Sequence, residues 1–249
     1  SLKIKKMNRL KTFNLIAFIL VFSIGVKHVE AQQNTLADKG LSAKQKSIIS
    51  ISALTAKGNL QALKPALNNG LEAGLTINEV MEILLHLYAY CGFPRSIRGL
   101  QTFMEVVNER KAKGIVDVVG AGASPILNDA SKYETGKKIL AELTRTSSNR
   151  LSGYSAFVPT IDTFLKEHLF ADIFERDVLT YAQRELVTIS VISAIGDADP
   201  MLQGHLSISL NVGITPKQLK EFVTIINASV GEKEAKSANN VLDLVLNSK

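Results

Sequence analysis

"LTYAQRELVTISVISAIGD", Leu179 to Asp197, decides the fold, because its β-branched run "VTISVIS" suggests a strand while its opening residues announce a helix. Thr180 followed by Gln183 is a capping box, in which the hydroxyl accepts from an early helix amide and the later side chain returns a bond to the cap. The same punctuation stands 138 positions earlier in "LSAKQKSIISISALTAKGN", Leu41 to Asn59, with Ser42 and Gln45. Shared caps at a shared spacing mark one element used twice, and both stretches read as helices.

The likeness extends downstream. "GLTINEVMEIL" from Gly74 aligns with "GITPKQLKEFV" from Gly213 at an offset of 139, so one extra residue falls between the two blocks. Thr76 with Glu79 and Thr215 with Gln218 add two further capping boxes. Behind them Val80, Ile83, Leu84 and Leu87, and then Leu219, Phe222, Val223 and Ile226, recur at helical spacing. Pro216 suits a first helical position, where its missing donor costs nothing. Each copy reads as a helix (Ser42 to Lys57), a helix (Leu60 to Ala73), a turn and a helix (Thr76 to Tyr90). In the first copy a shorter helix follows the break at Pro94. The spacing predicts an all-α chain with a first domain over 32–112, a linker over 113–130 in the Gly-rich "KGIVDVVGAGASPILND", and a second domain over 131–249.

At 249 residues and 46% hydrophobic content the chain can fill a sizeable core. Its single cysteine excludes an intrachain disulfide and any CxxC pair. Residues 1–31 have a basic start, an apolar run from Phe13 to Val26, and small residues at Val29 and Ala31, the layout of a secretory signal peptide. The apolar run is short of the roughly twenty residues that span a bilayer. The expectation is an exported protein, periplasmic or secreted, with no stable membrane span after processing. Six Lys or Arg against one acid in this segment account for +5 of the chain's net +6, so the basicity does not argue for nucleic acid as a partner. No ligand-spaced His, Cys or Asp cluster points to a metal, and no glycine-rich phosphate loop points to a nucleotide. No cofactor is expected.

The run "GNLQALKPALNNGLEAGLTINEVMEILLHLYAYCGFPRS" resembles the carboxymuconolactone decarboxylase family, with "YAYCGFPRS" its most specific part. "IDTFLKEHLFADIFERDVLTYAQRELVTISV" together with "GHLSISLNVGIT" resembles a second domain of that family, so the likeness covers most of Leu41 to Leu246. The resemblance implies two tandem alkylhydroperoxidase D-like helical domains and a ring-like oligomer. Because such rings are built from trimers of the single unit, a homotrimer of this two-domain chain would give a six-domain ring. The resemblance also implies one of two chemistries, decarboxylation of a γ-carboxymuconolactone or peroxide reduction. The reductases of the family use a CxxC pair, with a glutamate twelve residues before it and a histidine just after. Here the glutamate matches Glu185 and the histidine His205 to within one residue, while the cysteine positions fall on Asp197 and Pro200. A dithiol mechanism is therefore absent.

On the decarboxylase reading a small anionic substrate loses CO2, and an acid must protonate what remains; His205 is the candidate donor, with Glu185 beside it in the site. Arg95 or Arg184 could clamp the carboxylate through two parallel bonds. Cys91 reads most simply as a small buried hydrophobe, although Pro94 and Arg95 nearby would favour a thiolate. His86, one helical turn before Tyr90, could share a face with it. The first copy has Ser47 and Leu67 where the second has Glu185 and His205, yet it keeps "HLYAYCGFPR", which the second replaces with "INASVGEKE". Each copy holds half a site, so one composite site is expected, completed by the other repeat of the same or a neighbouring chain. Two rivals stand beside the enzyme reading: a single-cysteine thiol peroxidase or redox protein, and a non-catalytic exported oligomer that binds a ligand.

Overall fold

All four capping boxes form, at Ser42, Thr76, Thr180 and Thr215, and each opens a helix. The computed structural model describes residues 40–126, 130–147 and 150–248. The expected signal peptide lies outside the described residues. The first repeat comprises α1 (Ala43–Lys57), α2 (Leu60–Glu72), α3 (Ile77–His86) and α4 (Tyr88–Ala112). Between the repeats come α5 (Lys132–Thr144), two short helices α6 (Tyr154–Phe157) and α7 (Pro159–Phe164), and a π-helical segment, Leu165–Phe174. The second repeat comprises α8 (Tyr181–Ile195), α9 (Asp199–Asn211), α10 (Pro216–Val230) and α11 (Glu232–Asn247). No strand occurs among the described residues.

The β-branched run is helical because it is buried on every side. Residues Arg184 to Ala194 of α8 are all buried, as are Ile51 to Ala56 of α1. These two equivalent helices pack against each other at the centre of one core shared by both repeats. In that position the burial of branched side chains outweighs their small helix penalty, at most about 0.7 kcal/mol per residue.

Two expectations need correction. The helix after Pro94 is not short, since α4 runs on to Ala112 and is the longest among the described residues. Its kink lies at Gly92, where φ 78° and ψ 164° leave the helical region. A residue with a Cβ rarely adopts that conformation. Pro94 then falls in the first turn of the resumed helix, where no donor is lost. The equivalent Gly231, at φ 123°, separates α10 from α11.

The second correction concerns the extra residue. Helices α1 and α8 start at Ala43 and Tyr181, but α2 and α9 start at Leu60 and Asp199, so the insertion sits in the turn at Asp197, with φ 55°. His205 is therefore the counterpart of Ala66 rather than Leu67. The burial pattern agrees, since Leu63, Leu67 and Gly70 are buried at the positions of Leu202, Leu206 and Ser209.

The stretch expected as a linker is strapped to the first repeat. Val118 and Val119 carbonyls accept from the Ile77 and Asn78 amides at 3.0 and 2.9 Å, so they complete the open N-terminus of α3. Arg110 holds Asp117 through two parallel bonds, Nε to Oδ2 and Nη2 to Oδ1, each of 2.8 Å. Beyond it, α5 and the π-helical segment form a second apolar cluster, in which Phe170, Phe174 and Leu143 meet Ile208 of α9 and Tyr88 and Tyr90 of α4.

Candidate functional site

A helix buried on all sides carries polar side chains only where each finds a partner. On α8, Arg184, Glu185 and Thr188 are fully buried. Arg184 and Thr188 find their partners on α3 of the first repeat, where Glu82 and His86 stand four residues apart, with Tyr90 four residues further on in α4. Arg184 Nη2 donates to Glu82 Oε1 at 2.8 Å and to the Arg176 carbonyl at 2.6 Å. Arg176 in turn grips the same Glu82 carboxylate through two bonds near 2.9 Å. Arg184 Nη1 lies 3.1 Å from His86 Nδ1, and His86 Nε2 lies 2.9 Å from Thr188 Oγ1. Phe174, at the end of the π-helical segment, closes over this row, with its ring 5.1 Å from the His86 ring and 6.0 Å from the Arg184 guanidinium.

His205 on α9 meets Glu185, with Nδ1 2.9 Å from Glu185 Oε2. Its ring stands edge-on to Tyr90 at 5.9 Å, and Tyr90 lies 5.5 Å from His86. The structure thus brings His205, Glu185, Tyr90, His86 and Arg184 together. His205 is the one imidazole of this group with some solvent access, while His86 has none. Three buried atoms of this group have no hydrogen-bond partner, Glu185 Oε1, the Tyr90 hydroxyl and Arg184 Nε.

Burial sets the protonation states. His86 is held well below the ordinary histidine value, first by burial and then by the Arg184 charge, so it is neutral. The Tyr90 phenol is pushed far above its usual value, again chiefly by burial, with the Glu185 charge adding to the rise. It stays protonated at every physiological pH.

Arg184 is taken out of the substrate-binding set. Both terminal nitrogens are committed to protein partners and the side chain is inaccessible, so it orders His86 and Glu82 instead of clamping a ligand. Arg95 differs. It is exposed, and its guanidinium lies over Gly58 at the end of α1, an approach that a side chain at residue 58 would block. Arg95, Cys91 and Lys57 line an open pocket of about 320 Å³ with Ala56, Ala194 and Ile195. Lys57 is bonded to Glu234 at 2.6 Å. Cys91 donates its thiol proton to the Leu87 carbonyl at 3.2 Å, and burial pushes its pKa up to about 11 despite Arg95. It is a neutral thiol at pH 7.

The reciprocal position, where α1 and α2 of the first repeat meet α10 and α11 of the second, repeats the plan without the chemistry. Lys46 and Glu221 stand in the places of Arg184 and Glu82 and form a 3.5 Å ion pair, but at the surface. Ser47, Ala66, Ile225, Ser229, Val230 and Glu234 stand where Glu185, His205, His86, Tyr90, Cys91 and Arg95 furnish the first site. Of the two sites, one is equipped and one is bare. Glu82, Thr188 and Arg176 are partners that the residue types alone did not single out. The first two were readable from the repeat, because Glu82 aligns with Glu221 and Thr188 with Ser50.

Comparison with known proteins bears on this arrangement. The model of the carboxymuconolactone decarboxylase family matches residues 28–103 and 159–244, one segment in each repeat. A 4-carboxymuconolactone decarboxylase of Acinetobacter baylyi is 28% identical over 121 residues, 48% of this chain and 90% of that protein. The uncharacterized protein MJ1511 of Methanocaldococcus jannaschii is 24% identical over 79 residues, 32% of this chain and 74% of its own.

Proposed function

Because the chain belongs to the carboxymuconolactone decarboxylase family, we propose that it decarboxylates a small lactone carrying a carboxylate, or a closely related anion, at the site where the two repeats meet. The observation that carries this reading is the Glu185–His205 pair, 2.9 Å apart and packed against Tyr90, with buried unpartnered oxygens on Glu185 and Tyr90 beside it. In the reaction the bond between ring carbon and carboxylate breaks, CO2 leaves, and the electron pair passes into the lactone as a dienolate. His205, entering the step as the imidazolium with a proton on each ring nitrogen, supplies from Nε2 the proton that forms the new C–H bond and is left neutral. Glu185 accepts from Nδ1 and so turns Nε2 towards the substrate, the usual way a carboxylate orients an imidazole. Arg95, exposed and next to Cys91, binds the carboxylate on entry with Lys57 beside it. The phenolic O–H of Tyr90 is available to the dienolate oxygen, where a placed donor counts most.

The single-cysteine reading loses support, because a thiol with a pKa near 11 offers little thiolate. The non-catalytic reading accounts less well for a site whose polar residues are concentrated at one of two equivalent positions.

Export through residues 1–31, the domain limits 32–112 and 131–249, and a trimeric ring complete the proposal. The test is turnover of γ-carboxymuconolactone, followed by loss of its carboxylate as CO2. No CO2 from this lactone or its close analogues, with folded protein, would sink the reading.

A further inference from the structure

The two central helices end at the open pocket of about 320 Å³, where Ala56 and Lys57 close α1 and Ala194 and Ile195 close α8. The repeat matches Ala56 with Ala194, Lys57 with Ile195, and Arg95 of α4 with Glu234 of α11. A symmetric pocket would therefore hold two equivalent pairs, each joining the end of a central helix to the long helix of the other repeat. One pair forms. Lys57 Nζ donates to Glu234 Oε1 at 2.6 Å, and this bond holds the Glu234 carboxyl below the usual carboxylate range, so both groups are charged at neutral pH. In the second pair Arg95 is matched with Ile195, which has no charge to answer it.

Arg95 makes no hydrogen bond or ion pair with any described residue. Its guanidinium lies over Gly58, and its side chain lines the pocket beside Cys91. Helix C-termini carry partial negative charge, which accounts for cations gathered here. The capping amides of Gly58 and Gly196 already bond the Leu54, Thr55 and Ile192 carbonyls, and an exposed helix end is further screened. Among the described residues of the pocket, then, Arg95 is the cation left for a ligand, and Ala56, Ala194 and Ile195 give it small and aliphatic walls. A guanidinium fork fits a carboxylate through two parallel bonds. A second carboxylate in the same pocket would find Lys57 occupied and the like charge of Glu234 beside it.

We propose that this pocket takes one carboxylate of a small ligand with an apolar body, that Arg95 is its anchor, and that Glu234, supplied by the second repeat, excludes a second carboxylate by occupying Lys57. Any further carboxylate of the ligand must lie outside the pocket. That the anchored group belongs to a substrate rests on the decarboxylase reading; the charge of the pocket does not.

Cys91 lines the same pocket and is the only cysteine of the chain, so its alkylation reports what enters. The full chain is treated in low-salt buffer at pH 9 with iodoacetamide, iodoacetate or 2-bromosuccinate, which carry no, one and two carboxylates, with 2-mercaptoethanol as the free-thiol reference. In each reaction the thiolate displaces halide and a C–S bond forms, so the ratio of two rates cancels the thiolate fraction. Relative to the reference, iodoacetate should gain on iodoacetamide about two- to fivefold at Cys91, and Arg95→Gln should abolish the gain. Bromosuccinate should show no gain until Glu234→Gln frees Lys57, which should raise it against iodoacetate about two- to fivefold. Lys57→Gln leaves Glu234 unneutralised and should lower the iodoacetate gain, which tests the charge even if Glu234→Gln fails to fold. No iodoacetate gain, or one that survives Arg95→Gln, overturns the anchor. Bromosuccinate indifferent to Glu234→Gln in folded protein, or an iodoacetate gain indifferent to Lys57→Gln, overturns the role of Glu234. If the labelling responds as expected while no lactone yields CO2, the pocket stands and the decarboxylase reading falls; lactone turnover with indifferent labelling keeps that reading and overturns the pocket.

Discussion

His205, Cys91 and His86 are three titratable residues whose surroundings give them different work. His205→Ala removes the proposed acid and should lower turnover about a hundredfold or more in protein that still folds, with a lowered melting temperature because the buried Glu185 carboxylate loses its partner. Arg95→Lys should raise KM with a small change in kcat, because an ammonium cannot reproduce the planar fork. Cys91 is predicted to be sluggish. Raised from 9.0 to about 11, it holds roughly a hundredfold less thiolate at neutral pH than a free thiol, so alkylation by iodoacetamide should be slow at pH 8 and climb up to pH 11. Cys91→Ser should keep most of the activity, and near-complete loss would restore the thiol reading. His86 makes stability depend on pH. Its folded-state pKa lies below the ordinary 6.5, so the unfolded chain binds the extra proton, and stability present above pH 6.5 is lost as pH falls below it. Thermal melts should decline between pH 6.5 and 5, and His86→Gln should flatten that slope even though it lowers stability at pH 7.

At the scale of elements, the same ion pair occurs in two settings and invites a comparison. Glu82 and Arg184 join α3 to α8 inside the core, where the side chains are 3% and 0% exposed. Glu221 and Lys46 join α10 to α1 at the surface, 30% and 52% exposed. Removing one partner of the inner pair leaves a buried charge unpaired, so Glu82→Leu should cost about 3–5 kcal/mol in urea unfolding. Glu221→Leu should cost about 0–1 kcal/mol, since water screens and replaces the outer pair. Comparable losses from both would mean that burial is not what makes the inner pair matter. The contact of α5 with the π-helical segment depends on Gly136, where a Cβ would overlap the Lys166 carbonyl. That approach holds Phe174 over His86 and Arg184, which explains how a segment between the repeats shapes the site.

For the molecule as a whole, Phe93 and Met104 on α4, Phe157 on α6 and Phe164 on α7 are 60% or more exposed, and the proposed assembly is expected to cover at least some of them. With two repeats per chain, the proposed ring needs three chains, because fusion halves the number of subunits while keeping the contacts. Light scattering should give three times the chain mass at micromolar concentration, and a stable monomer would rule the ring out. Mass spectrometry of the protein from its native host should find Gln32 at or near the N-terminus if residues 1–31 direct export.

Caps and periodicity are local, so the helices can be read from the chain alone: four capping boxes open α1, α3, α8 and α10, and their matching spacing declares the repeat. The two half-sites are also separate in the chain, because Glu185 and His205 lie in one copy and "HLYAYCGFPR" in the other. Which residues meet is settled by packing between the repeats. Arg184 and Arg95 are alike in sequence, and burial alone made one an internal anchor and left the other at an open pocket. The partnership of Thr188 with His86 likewise joins segments about a hundred residues apart. The energy of a polar group is set by what lies across from it when water is gone, and no local pattern carries that information.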